Sequence, residues 1–356
     1  MKQHSKYRLL IISLVFVLLW MSIPVKAQIG GSAAYDFLNL SNSSRISAMG
    51  SDFLSIYDDD ISLVLANPSL INKEMHNDLS LNFVNHFAGI NYGYTTYSRT
   101  FDKQGSFAAS LQYINYGEFT YTDPSGLTAG SFTANEMAFV LGWSKQLAEK
   151  LFIGVNVKSM YSQLEQYKSS AVASDLALSY VGFEKDFCAS LIVKNIGRQI
   201  KPYVEGNIEP LPFEIQLGIS KKLEHVPFRY SIMLDNLQKW DLSYEDPTNP
   251  KQTVDPLTGE EIKERGLFVF GDKALRHLSI GGEMLLGKNM SFRFGYNFRK
   301  RKEMVVDTRL GMTGFSWGFE IKVSKFRISY ARAAYHLAGA PNVFTVITSI
   351  SDFKKD

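Results

Sequence analysis

Met290-Ser-Phe-Arg-Phe-Gly-Tyr-Asn-Phe298 sets Met290, Phe292, Phe294, Tyr296 and Phe298 on one side of an extended chain, and Ser291, Arg293, Gly295, Asn297 and Arg299 on the other. Side chains of a strand alternate between faces, so one face is wholly apolar and the other polar or small. A strand lying on a soluble core shows the same alternation. Repetition along the chain decides between the two.

From Leu79 onward the pattern recurs, over Leu79 to Asn85, Gly89 to Thr100, Gly105 to Tyr116, Phe132 to Gln146 and Leu151 to Gln163, and in further runs from Ala171 to Phe353. The count is about fourteen. Leu211, Phe213, Ile215, Leu217 and Ile219 are expected to face lipid, with Glu214, Gln216, Gly218 and Ser220 inward. The connections alternate in length. Short ones, such as Asp102 to Gln104, Glu184 to Asp186 and Gly287 to Asn289, trade places with long ones: Gly117 to Ser131, Gly197 to Pro210, Leu237 to His277 and Arg301 to Arg309. Up-and-down outer-membrane barrels sort their loops this way, with short periplasmic turns and longer external loops, whereas a soluble sandwich has no reason to. The expected fold is therefore all-β, a transmembrane antiparallel up-and-down barrel over residues 78–356. Closure removes the open edges that so wide a sheet would expose.

Residues 1–27 read as a signal peptide. Lys2, Lys6 and Arg8 precede an apolar run from Leu9 to Ile23, and Val25-Lys26-Ala27 fits a small-x-small cleavage site, so the mature chain is expected to begin at Gln28. That segment holds four of the 38 basic residues and none of the 35 acidic ones, leaving 34 against 35. The basicity of the whole sequence thus belongs to the leader, and the scattered Lys and Arg of the remainder do not make a nucleic-acid surface. Cys188 is the one cysteine, so no intramolecular disulfide is possible. Residues 28–77 lack alternating runs and read as a short helical plug in the lumen. Asp60 is an expected N-cap for a helix through Ala66, and Asn67-Pro68 repeats the device with Pro at the first helical position. An even strand number puts residues 28–77 and Asp356 on one side, and the loop lengths make that side periplasmic.

Little in the sequence offers chemistry. Asp58-Asp59-Asp60 lacks the alternate spacing of a calcium loop. Gly314-Phe-Ser316-Trp-Gly318 matches the nucleophile-elbow pattern, but Phe315, Trp317, Phe319 and Ile321 continue a strand where that motif needs a strand-to-helix turn. His76, His86, His225, His277 and His336 are scattered, with no metal-binding spacing. No enzyme and no cofactor is expected. Lys158, Glu214, Arg293, Arg299, Glu320 and Arg327 are expected to face the lumen, where charges shielded from water need partners. In the long connection, Leu267, Phe268, Val269 and Phe270 form an apolar run suited to docking a partner.

Gly31 to Leu40 (GSAAYDFLNL), Ser44 to Gly50 (SRISAMG), Tyr57 to Asn77 (YDDDISLVLANPSLINKEMHN) and Leu79 to Gly93 (LSLNFVNHFAGINYG) together resemble the PorQ family of the Bacteroidetes type IX secretion system. More broadly, Ala66-Asn67-Pro68 in a plug followed by about fourteen strands is similar to barrels related to the FadL-type fatty-acid transporter. The resemblance implies a non-enzymatic outer-membrane protein that holds PorZ beside the PorU sortase and PorV, in a complex that joins processed cargo to anionic lipopolysaccharide. It carries no catalytic positions. The other functions to weigh are a FadL-like channel for hydrophobic substrates and a PorV-like cargo carrier.

Overall fold

The computed structural model describes residues 33–353 apart from 87–88, 124, 244–265, 304–311 and 335–338. The expected signal peptide and cleavage site lie outside the described residues. Fourteen antiparallel strands close into one barrel. They are β1 Asp78–Asn85, β2 Asn91–Phe101, β3 Gly105–Thr122, β4 Thr128–Ala148, β5 Leu151–Leu164, β6 Tyr167–Val181 and β7 Phe187–Lys201. The circuit continues through β8 Glu214–Lys222, β9 Phe228–Leu234, β10 Leu278–Leu286, β11 Met290–Asn297, β12 Phe315–Val323, β13 Phe326–Ala333 and β14 Asn342–Ser349. The first and last strands zip together from Asp78 opposite Ser349 to Asn85 opposite Asn342, so neither is left as an edge.

The wall is uneven in height. Strand β4 has 21 residues and β3 has 18, whereas β1, β11, β13 and β14 have eight each. At ~3.4 Å per residue and ~40° tilt, eight residues climb about 21 Å, close to the ~25 Å apolar band of such barrels, and 21 residues climb about twice that band. The tall side therefore projects beyond the membrane. The expected loop from Gly117 to Ser131 is largely this projecting hairpin, clasped by stacked Phe119 and Phe132 rings 5.3 Å apart. Its apolar alternation fades because both faces meet water, which hides a strand from a pattern-based reading.

Residues 33–77 fill the barrel as a hatch. It contains one short helix, α1 (Ser44–Ala48), capped by the Ser43 side chain, and otherwise single 3-10 turns. Asp60 accepts from the Ser62 amide and Asn67 from the Ser69 amide with Pro68 following, so both cap as their residue types dictate. The turns they start are only Ile61–Leu63 and Pro68–Leu70, not helices, because the chain must keep reversing to fit inside the wall. Ile46, Met49, Phe53, Leu54, Ile56 and Leu63 are fully buried and form the core against the inner face.

Two expectations about direction change. Leu211 does not face lipid: it precedes β8 and packs into the lumen with Phe37 and Leu38. The first described residues of the hatch also do not lie at the short-turn rim. The Ala34 amide donates to the Pro210 carbonyl at 2.9 Å and the Tyr35 hydroxyl to Ser169 Oγ at 2.8 Å, both at the long-loop rim. The hatch leaves at the opposite rim, where Glu74 pairs with Lys185 before β1 starts. An even number of strands fixes the side on which Asp78 and the last described residue, Phe353, lie. It says nothing of where a segment threading the lumen starts.

Candidate functional site: a hatch latched to the wall

The hatch lies against the wall where the wall has no side chains. A Cβ on Gly295 would stand 2.1 Å from the Met49 carbonyl carbon, and one on Gly154 would stand 2.2 Å from the Ser69 nitrogen. These inward glycines let backbone meet backbone. Small hydroxyls then tie the surfaces together. Ser316 Oγ donates to the Ala48 carbonyl at 2.9 Å, Ser69 Oγ lies 2.6 Å from Ser179 Oγ, and Ser220 donates to the Ser55 carbonyl. Ser316, the serine of the nucleophile-elbow pattern, is thus a clasp inside strand β12. Cys188 is buried on the inner face near Ser190.

Near the short-turn rim the clasp is ionic. Glu283 of β10 receives Arg45 at 2.8 Å, Arg229 at 2.8 Å and Arg293 at 2.7 Å. Arg45, from α1, also reaches Asp58 at 2.8 Å and Asp60 at 3.0 Å, so one hatch guanidinium bridges two hatch carboxylates to a wall carboxylate. Arg293 continues to Glu320 at 3.1 Å, and Arg327 holds Asp59 at 2.9 Å. The triple aspartate is therefore engaged by arginines rather than arranged around a cation. Arg45, Asp58, Arg229 and Glu283 were not singled out as site residues by the sequence. Arg45 sits in a stretch with no alternation, and Arg229 and Glu283 are register partners of β9 and β10, a pairing hidden by the long connection between those strands.

A second cluster lies higher in the lumen. Lys158 pairs with Asp175 at 2.8 Å and donates to Asn195 Oδ1 at 2.8 Å. A bulge between β6 and β7 puts Asn195 in the left-handed region at φ 58, so that its amide donates to Asp175 at 2.8 Å. Glu214 accepts from the Asn236 amide and side chain at 3.2 Å. Arg299 is not on a strand. β11 ends at Asn297, and a short helix, α2 (Phe298–Glu303), carries Arg299 to 4.0 Å from Asp52 of the hatch and 4.0 Å from Asp235. All six expected lumen charges thus have named partners, shared among hatch, wall and loop.

Leu267, Phe268 and Phe270 are brought together elsewhere, on a helix, α3 (Gly266–Leu275), in the long connection. They are 81%, 69% and 58% exposed, although the Phe270 ring meets Trp240 at 5.2 Å. His277 fixes the base of this loop, its ring nitrogens 2.8 Å from the Asp235 carbonyl and 3.1 Å from that of Trp240. Lys273 hydrogen-bonds Asp241 and holds its carboxyl well below the usual range. Burial opposes ionisation of Asp272, yet Lys302 and Arg276 keep its pKa below the ordinary value.

No family model matches the chain, and no curated protein does either. Among solved structures it is similar to the P. putida toluene transporter TodX, with a TM-score of 0.51 and 12% identity over 87% of this chain and 99% of that one. It is also similar to a TodX deltaS2S3 mutant described as a monoaromatic hydrocarbon channel, at TM-score 0.50 and 12% identity over 88% and 100% of the two chains. A Pseudomonas aeruginosa FadL homologue matches at TM-score 0.47 and 8% identity over 87% and 98%. The likeness to TodX shows the fold alone, a closed β-barrel of the outer-membrane kind. The resemblance to the type IX secretion barrels rests on the quoted residues alone.

Proposed function

We propose that this chain is a hatched outer-membrane barrel for small hydrophobic molecules, described here with its hatch closed. The observation that carries the reading is the division of the lumen. Its outer half is filled by a packed apolar and aromatic cluster under the long loops, Tyr35, Phe37, Tyr92, Tyr94, Ile114 and Leu211, beside the Lys158–Asp175 pair. Its inner half is sealed by the ion-paired hatch around Arg45 and Glu283. A hydrophobic solute entering from outside would meet apolar hatch and wall side chains above and a charged barrier below, so transit requires the hatch to move. The TodX likeness supports the reading through a shared fold and supplies no residue correspondence.

The test uses the 2.6 Å approach of Ser69 Oγ to Ser179 Oγ. A Ser69→Cys, Ser179→Cys pair in a Cys188→Ser background would lock the hatch. Uptake of toluene into proteoliposomes is expected to stop in the oxidised barrel and return on reduction. Uptake that is absent in the unlocked barrel, or unaffected by the lock, contradicts the reading.

A second reading is favoured by the exposed apolar face of α3: a scaffold that holds PorZ at the cell surface beside PorU and PorV, in contact with lipopolysaccharide, or that carries cargo as PorV does. Its motive is the residue resemblance together with Leu267, Phe268 and Phe270 standing in solvent. Under this reading the locked barrel still captures PorZ from detergent-solubilised outer membranes, and a Leu267→Ser, Phe268→Ser, Phe270→Ser variant does not.

A further inference from the structure

At the short-turn rim, hatch and wall enclose a recess of about 190 Å³. That is room for roughly six waters at ~30 Å³ each, or for one tetrahedral oxyanion with a little water. Six cations line it: Arg45, Arg229, Lys288, Arg293, Lys322 and Arg327. Four carboxylates face the same space, Asp58 and Asp59 from the hatch and Glu283 and Glu320 from the wall. Asp60 stands behind the lining and pairs with Arg45 at 3.0 Å, so the cluster as a whole carries an excess of one positive charge, and the carboxylates are already occupied. Glu283 takes three guanidiniums, Asp58 takes Arg45 and Arg229, Asp59 takes Arg327 and Glu320 takes Arg293.

The buried polar atoms beside the recess add an independent observation. Ser291 is 5% exposed and lines it, yet its hydroxyl has no hydrogen-bond partner among the described residues. The Arg45 Nε–H is likewise buried without one. A buried donor left without a partner costs about 1–3 kcal/mol, and since both atoms are closed to a water-sized probe, a ligand oxygen would recover that cost by a small widening of the recess. The cationic excess, with Lys288 and Lys322 at the exposed mouth, suits a phosphate group, which is anionic at neutral pH and offers several acceptor oxygens.

We infer that this recess is a phosphate-group site. Its walls come from two parts of the chain, Arg45, Asp58 and Asp59 from the hatch and the remaining groups from strands β9 to β13 and their turns, so an occupant joins hatch to barrel. The consequence is a ligand that strengthens closure from the short-turn side, where loop lengths place the periplasm. The inference does not depend on whether the barrel conducts.

Isothermal titration of the mature barrel in neutral detergent, with inorganic phosphate against chloride at matched ionic strength, tests it. Saturable phosphate binding, with a phosphate-dependent rise in melting temperature, is expected. Binding seen only in nanodiscs containing phosphatidylglycerol assigns the phosphate to a lipid headgroup and still supports the site. Ser291→Ala should melt unchanged without phosphate, because it removes a hydroxyl that has no partner, and should bind phosphate about tenfold more weakly. Lys322→Gln, at the exposed edge, should weaken binding in the same direction. Equal responses to phosphate and chloride in both detergent and nanodiscs, or undiminished binding by both variants, would overturn the proposal.

Discussion

Arg45 and Glu283 lie 238 positions apart in sequence and 2.8 Å apart in space. Removing one partner of a buried ion pair leaves the other uncompensated at about 3–5 kcal/mol, and Glu283 serves three arginines. Glu283→Gln should therefore lower the denaturant midpoint of the barrel and open residues 33–77 to limited proteolysis. High salt should not mimic it, since buried pairs are little screened. Glu283→Gln with an unchanged proteolysis pattern would show that the ion pairs do not hold the hatch. Gly295 makes the same point through shape. Gly295→Val must push Met49 and its backbone away, and overpacking of this kind costs about 1–3 kcal/mol. A lowered melting temperature with the hatch loosened is expected; an unchanged melt would mean that hatch and wall are not in contact there. The sequence makes Gly295 legible as an inward position of an alternating strand, but not the reason it is small, because the Met49 backbone arrives from a segment without periodicity.

At the scale of elements, what the sequence discloses follows the solvent. Strands with one face in lipid and one in the lumen announce themselves, as β11 does from Met290 to Asn297. Where a strand leaves the membrane the signal stops, and β3 and β4 run past their readable ends into the projecting hairpin. Caps were readable at Asp60 and Asn67 because capping is local; the brevity of the turns they start was not, since it is set by the space inside the wall. The α3 helix belongs to the same lesson: Leu267 to Phe270 was visible as an apolar run, whereas its exposure depends on the loop that Trp240 and His277 anchor. Because α3 packs little of its apolar face, the Leu267→Ser, Phe268→Ser, Phe270→Ser variant should leave the barrel's melting temperature within about 2 °C of the parent, at a few tenths of a kcal/mol. A larger fall would place that face in the fold rather than at an interface.

For the molecule as a whole, strand number and closure follow from alternation and loop lengths. The place of the first described hatch residues at the long-loop rim does not, because strand parity cannot see a segment that threads the lumen. The central claim is that residues 33–77 stand inside a closed fourteen-strand barrel, joined to its inner wall. Oxidation of the Ser69→Cys, Ser179→Cys barrel, in a Cys188→Ser background and in native outer membranes, tests it most directly, because a disulfide forms only when the two Cα atoms lie within about 7 Å. The account predicts near-complete intramolecular cross-linking, read as linked tryptic peptides from the two segments within one chain. Failure to cross-link, or linkage only between different chains, would contradict it.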